Sequence, residues 1–308
     1  MTLRANERVV YFNGEIMPES KVTISFRDRS FRYGDGAFDT TRTFGHQIFK
    51  LKPHIDRFFK TLKYLDLDPG LSSRQLMTIT EDVLERNLHL LDQEDDYWVT
   101  QRVSRGVEIP GGDVHEEGGT VVIVECTPLP FKARASYFRD GIEVGVPSIR
   151  RAAPDSINPR AKTHNYLNLL LGHQEIRRYN PKGWAILLDH NGNLCEGVGS
   201  NLFVIEDGVI ATPQDLFVLC GISRETVIEL AKQKGMRVVK RDIDLYDAYN
   251  ADEMFITSTS FCICPVKSIN GTIIGSGEIP GPMTTKLIEA YKELVDYDFV
   301  AQYLRYLD

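Results

Sequence analysis

Tight two-residue turns set inside apolar runs constrain this chain most. VVYFNGE places Asn13-Gly14 after a short β-prone run, NLFVIEDGVIATP puts Asp207-Gly208 between two such runs, and VKSINGTII repeats the device with Asn270-Gly271. Such pairs accept the positive φ that a tight hairpin demands, so they specify antiparallel pairing locally. GAFDTTRTF followed by GHQIFKL reads as a further hairpin through Phe44-Gly45-His46.

Helical patterns lie between the hairpins. Apolar residues recur at helical spacing from His54 to Leu65, Arg74 to Leu91, Ser223 to Lys234 and Met283 to Leu294. YWVTQRVS, TVVIVEC, GIEVGVPS, WAILLD, MRVVKRDI and EMFITST read as strands. Strands joined mainly by hairpins, with helices between, predict a mixed α/β (α+β) protein in two lobes. The proline-bearing stretch TPLPFKAR marks the expected boundary. The expected organisation is a small N-terminal α/β domain over 1–126, a linker over 127–137 and a large C-terminal domain over 138–308.

Composition narrows the function. A net charge of −7 and the lack of any Lys/Arg-rich block argue against a nucleic-acid partner. The apolar runs are too short to span a bilayer, and MTLRANERVV has no apolar core of a leader, so no membrane association is expected. Five scattered cysteines suit a reducing cytoplasm. Cys262 and Cys264 form a C-x-C without the further ligands a zinc site needs, so no metal is expected.

NPRAKTHNYLNLLLGHQEIRR carries the first chemical signal. Asn158-Pro159 gives a turn and Asn165 can cap a helix, which is therefore expected to open near Asn165. Lys162 then stands at a helix N-terminus, where the macrodipole disfavours a positive charge. That suits a Schiff-base amine better than a structural lysine, although a lysine whose stem covers apolar surface is the plainer alternative.

Four more stretches join it. Glu196 lies in the Gly-rich bend EGVGSNLF, either a solvated turn carboxylate or a buried partner for a cation. CGISRE opens a helix near Ser223, a simple cap or an anion site. FITSTSF ends a strand in hydroxyls at Thr257, Ser258, Thr259 and Ser260. Arg57 in HIDRF either pairs with an acidic neighbour on the surface or turns inward to hold a phosphate. An amine, a carboxylate and a phosphate grip together are what pyridoxal 5′-phosphate requires of a protein.

The order of these stretches resembles the class IV (fold type IV) pyridoxal-phosphate aminotransferases. That family includes branched-chain amino-acid aminotransferases, D-amino-acid aminotransferases, (R)-selective amine transaminases and aminodeoxychorismate lyase. FRYGDGAFDTTR, LKPHIDRFFKTL, KTHNYL, EGVGSNLFVIEDGVIATP, CGISRETVIEL and DEMFITSTS follow one another in family order over nearly the whole chain. The resemblance implies a small N-terminal lobe, a larger C-terminal lobe around a barrel-like sheet, and a homodimer. It implies that Lys162 is the Schiff-base lysine and proton shuttle, and that Glu196 pairs with the pyridine nitrogen. Arg57, Ile222, Ser223 and Thr259 would hold the phosphate, assisted by Ser260. Tyr166 would approach the cofactor's O3′, although it follows the lysine by four residues where the branched-chain enzymes usually have five.

Specificity rests on fewer residues. Alternation along GAFDTTRTF puts Phe38, Thr40 and Arg42 on one face. Arg42 is a candidate for a substrate carboxylate, or else forms a salt bridge inside the small lobe. The branched-chain enzymes often carry Tyr-x-Arg on the later strand, where this chain has Trp98 and Thr100. The Arg-x-His of D-amino-acid enzymes falls on Pro110 and Gly112. Arg105 is the candidate replacement, and Trp98 fits an apolar wall or core packing. The expected reaction is a ping-pong transfer from a branched-chain or apolar amino acid to an oxo acid such as 2-oxoglutarate. The alternatives are an (R)-amine or D-amino-acid donor with pyruvate, or a lyase of the aminodeoxychorismate type.

Overall fold

Asn13-Gly14, Asp207-Gly208 and Asn270-Gly271 take φ of 46° and 102°, 48° and 73°, and 49° and 84°. Each closes a two-residue hairpin: Phe12 faces Glu15, Glu206 faces Val209, and Ile269 faces Thr272. The computed structural model describes residues 7–113, 116 and 118–307; MTLRAN, part of the segment expected not to be a leader, lies outside them. Among the described residues no helix is long and apolar enough to cross a membrane. The chain divides into two compact units, Met1–Leu129 with Ala161–Asn165, and Pro130–Arg160 with Tyr166–Asp308.

The first unit is built on β1 (Val9–Phe12), β2 (Glu15–Pro18), α1 (Arg29–Tyr33), β3 (Gly36–Phe44), β4 (Gln47–Ile48), α2 (Leu51–Tyr64), α3 (Ser73–Asn87), β5 (Tyr97–Ser104) and β6 (Val121–Pro128). Its strands form one antiparallel sheet in the order β2-β1-β6-β5-β3-β4. Ile55, Phe58 and Leu62 of α2 and Leu76, Val83 and Leu84 of α3 bury against Val99, Val103, Val122 and Val124. Each such side chain contributes about 1.5–3 kcal/mol on burial. Helix α2 opens before the expected His54, because Pro53 falls in the first turn, where no intrahelical N–H bond is lost. Helix α3 starts on a reciprocal Ser72–Gln75 capping box. It stops at Asn87, whose side chain donates to Val9 O and accepts from Val9 N at 2.8 Å each.

The second unit holds α4 (Phe131–Asp140), β7 (Ile142–Gly145), α5 (Leu167–Tyr179), β8 (Trp184–Leu188), β9 (Leu194–Gly197), β10 (Ser200–Glu206), β11 (Val209–Thr212), α6 (Ile222–Gln233), β12 (Arg237–Lys240), α7 (Leu245–Asn250), β13 (Glu253–Ser258), β14 (Cys262–Ile269), β15 (Thr272–Ile273), α8 (Pro282–Val295) and α9 (Phe299–Leu304). Strands β10, β13, β14, β7, β8 and β9 pair in sequence, and β9 pairs back to β10, which closes a six-stranded mixed barrel. The mixed α/β class is the one expected from the strand and helix pattern, and the barrel is what the resemblance implied.

Two local details add to the sequence reading. The stretch read as linker turns helical one residue after Pro130. Proline is tolerated just before a helix, and Phe131, Ala135 and Phe138 give α4 a buried stripe. Helix α5 opens at Leu167, near the expected Asn165, with Tyr166 rather than Asn165 at its N-cap. Asn165 instead donates to Gly34 O at 2.9 Å.

Candidate active site

In the first unit the site grows from the edge of β3. Strand β4 covers only Thr43 and Phe44, so the N-terminal half of β3 has a bare edge. Residues 162–164 fill it: Phe38 N donates to Lys162 O at 3.0 Å and His164 N donates to Gly36 O at 2.9 Å. Lys162 N donates to Thr61 Oγ1 of α2 at 3.2 Å. Lys162 is 9% exposed, and its Nζ lies 4.4 Å from the centroid of the Phe38 ring. The lysine thus lies in an extended segment outside α5. The macrodipole, which acts within the first turn of a helix, is not what sets its surroundings.

Arg57 turns inward rather than pairing with Asp56, which binds Lys52 instead. Its fork meets Asp39, Nε to Oδ2 at 2.8 Å and Nη2 to Oδ1 at 2.7 Å. His54 Nδ1 lies 2.7 Å from the same Oδ1. Burial pushes the His54 pKa down, only partly offset by its bond to Asp39, so the ring is neutral near pH 7. Register sets the opposite face of the sheet: Phe38 faces Arg102, Thr40 faces Thr100, and Arg42 faces Trp98. Thr40 and Thr100 share a hydroxyl contact of 3.0 Å. Phe38, Thr40 and Trp98 are half-buried.

In the second unit Glu196 lies at 4% exposure on β9. Its Oε1 accepts from Arg151 Nε at 2.9 Å and its Oε2 from Leu219 N at 2.9 Å. A carboxylate has about four acceptor sites, so one further N–H fits. Helix α6 starts at Ile222 behind Gly221, with no side chain capping it. A Cβ on Gly221 would lie 2.2 Å from Asn201 Oδ1, so a side chain there would force the Asn201 amide aside. Ser223 Oγ donates to Ser258 O at 3.0 Å, which ties the helix start to the end of β13. Thr259 follows in the turn, half-buried. Thr257 Oγ1 is buried without a hydrogen-bond partner among the described residues. An uncapped helix start beside hydroxyls is a fitting seat for a phosphate.

Residues 36–269 match the family described as amino-transferase class IV. The chain is 32% identical to the branched-chain-amino-acid aminotransferase of Escherichia coli strain K12, over 92% of this chain and 91% of that protein. The chain belongs to the class IV aminotransferase family. The crystal structure of the Escherichia coli branched-chain amino acid aminotransferase superposes with a TM-score of 0.85 at 30% identity, covering 94% of this chain and 95% of that one. The T.th. branched-chain amino acid aminotransferase complexed with 4-methylvaleric acid gives 0.85 at 27% identity, with 96% of each chain covered. The same enzyme complexed with N-(5′-phosphopyridoxyl)-L-glutamate gives 0.83 at 26%, with 95% of each covered.

Within this class IV aminotransferase, three expected site residues are otherwise engaged. Arg42 is 1% exposed, donates to Thr43 O at 2.8 Å, pairs with Asp96 at 3.4 Å and stacks on Phe44. It is the salt bridge inside the small lobe, not a carboxylate holder. Arg105 is spent on Asp35, Leu65 O and Asp66 O, where it ties loops together. Ser260 takes a hydrogen bond from Arg134, and its carbonyl accepts from Tyr303 at 3.0 Å. Tyr166 falls in the second unit as the half-buried N-cap of α5.

Sequence reasoning missed Asp39, His54, Arg102 and Arg151. It also missed Arg224, fully buried, which ties the first turn of α6 to Asp215 at 2.8 Å and Pro213 O at 2.6 Å. The one usable signal was strand alternation, which set Asp39 on the helix side of β3 opposite Phe38 and Thr40.

Proposed function

We propose that this chain is a pyridoxal-5′-phosphate-dependent aminotransferase that moves an amino group from a branched-chain or related apolar amino acid to 2-oxoglutarate by a ping-pong route. The observation that carries the reading is Lys162, a primary amine on a segment pinned to β3 and held over Phe38. The cofactor, when bound, supplies a ring that accepts negative charge from the substrate's α-carbon. The chain supplies the rest. Lys162 anchors the cofactor and, once released, carries a proton to or from that carbon. Glu196, fixed by Arg151 and Leu219 N–H, balances a protonated ring nitrogen. Arg57, the first-turn N–H groups of Ile222 and Ser223, and the Thr259 hydroxyl take the phosphate. Tyr166 serves the ring's phenolic oxygen. Phe38 and Trp98 provide apolar walls beside Thr40.

The partners assigned are an amino-acid donor and an oxo-acid acceptor. We also assign a homodimer, supported by Phe26 and Phe31 at 70% and 73% exposure, and a cytoplasmic setting, supported by five free cysteines.

The test begins with cofactor-loaded protein, borohydride and peptide mass spectrometry. The phosphopyridoxyl group is expected on Lys162. L-leucine with 2-oxoglutarate is expected to yield glutamate, and Lys162→Ala to abolish it. If no amine ever reaches an acceptor, the aminotransferase reading fails. If (R)-1-phenylethylamine with pyruvate reacts and leucine does not, the substrate reading fails.

A further inference from the structure

We propose that Arg102, with His164 beside it, receives the carboxylate of the amino-acid and oxo-acid substrates. The inference rests on the function proposed above and names a specificity residue for it.

Three groups gather around one aromatic ring. Arg102 Cζ lies 5.3 Å from the Phe38 ring centroid, Lys162 Nζ lies 4.4 Å from the same centroid, and the His164 ring stacks on it at 5.6 Å. Arg102 stands directly across from Phe38 in the β3–β5 register. This places a guanidinium on the ring that also carries the amine. An amino acid presents its carboxylate one carbon away from its nitrogen, so a cation close to the reactive lysine is what its recognition needs.

The neighbouring arginines cannot supply it. Arg42 is sequestered with Asp96, and Arg105 is bound to Asp35 and two carbonyls. The Arg102 side chain is 38% exposed and spends Nε on Glu125 at 2.7 Å. A guanidinium has five N–H donors, so its Nη edge can take a second carboxylate. Glu125 itself shows the chemistry that this arginine accepts.

His164 supplies an independent sign. Its Nε2 is buried without a hydrogen-bond partner among the described residues. Ser30 Oγ lies against Nδ1; when that hydroxyl donates, the neutral ring carries its proton on Nε2. A buried N–H without an acceptor is costly, and a ligand oxygen relieves it. Burial and the charge of Arg102 push the His164 pKa down to about 4, so the ring stays neutral at physiological pH. Neutral His164 is a hydrogen-bond donor that brings no second charge beside Arg102.

The test uses the cofactor-loaded enzyme and calorimetric titration with two probes of one shape, 4-methylvaleric acid and its amide, 4-methylpentanamide. Arg102→Gln is expected to weaken acid binding about ten- to a hundredfold while the amide binds as before. Arg102→Lys, which keeps the charge but not the fork, should fall between. Glu125→Gln, which removes the competing carboxylate, should bind the acid at least as tightly as the native protein. Near-ultraviolet circular dichroism checks that each variant is folded. Acid binding within twofold of native in Arg102→Gln, or an equal loss for acid and amide, overturns the assignment. A native enzyme that transfers amino groups while Arg102→Gln binds acid normally sinks Arg102 alone. A native enzyme that transfers none sinks the function beneath it.

Discussion

Arg57 holds Asp39 through both carboxylate oxygens at 2.7–2.8 Å, and the carboxylate is fully buried. Burial pushes the Asp39 pKa up, but the charge of Arg57 and the bonds from His54 and Arg57 outweigh it and hold it well below the usual carboxylate range. A depressed carboxylate contributes stability above its unfolded pKa of about 3.9 and loses it as pH falls through the folded value. The pair is therefore intact at all ordinary pH. Asp39→Asn strands a buried cation. Urea unfolding of the cofactor-free protein at pH 7 is expected to show a loss of about 3–5 kcal/mol. Cofactor affinity should fall as well, since the fork is no longer aimed. Unchanged stability and affinity would show that Asp39 positions nothing.

Glu196 and Arg151 form the corresponding pair of the second unit, with side chains 5% and 10% exposed. Removing one member leaves the other buried and uncompensated, which costs more than removing both. Arg151→Gln is thus expected to be less stable than Arg151→Gln/Glu196→Gln. Denaturation of the two singles and the double mutant gives a coupling of about 0.5–3 kcal/mol for residues in contact. Strictly additive losses would contradict the pairing.

What the sequence made legible was local. Asn13-Gly14, Asp207-Gly208 and Asn270-Gly271 specify their hairpins within four residues, because positive φ is a property of the turn itself. Alternation placed Phe38, Thr40 and Arg42 on one face of β3. It could not say that Asp96, 54 residues on, would satisfy Arg42. Nor could it reveal that Lys162 leaves its neighbours in sequence to complete the edge of β3, since that depends on how little of the strand β4 covers. Helix α4 was hidden because Pro130, a breaker inside a helix, is harmless just before one.

The cysteines yield a prediction about reactivity. Burial pushes the Cys126 thiol up to about 12, and burial likewise raises Cys195 and Cys264. Cys220 is raised too, again by burial first, but is only half-buried. Thiolate is the reacting form. A colorimetric thiol reagent at pH 8 should modify Cys220 first and slowly in the native protein, and all five thiols in guanidinium. Rapid native labelling of Cys126 or Cys264 would contradict the packing.

His164 supplies a pH dependence of stability with a definite sign. Burial, then the charge of Arg102, lowers its pKa to about 4, against about 6.5 in an unfolded chain. Between those values the unfolded chain binds a proton that the folded one refuses, so stability falls as pH drops through this window. His54 and His173, also depressed by burial, act in the same direction, so the native curve alone does not isolate any one ring. His164→Gln keeps those two contributions and removes its own. The native protein should therefore lose about 1–2 kcal/mol relative to His164→Gln between pH 7.5 and pH 5, read by urea unfolding of both cofactor-free proteins. A stability gap that does not change with pH would mean that the imidazole titrates normally. A half-buried ring shielded by Phe38 would then be the wrong description of this site.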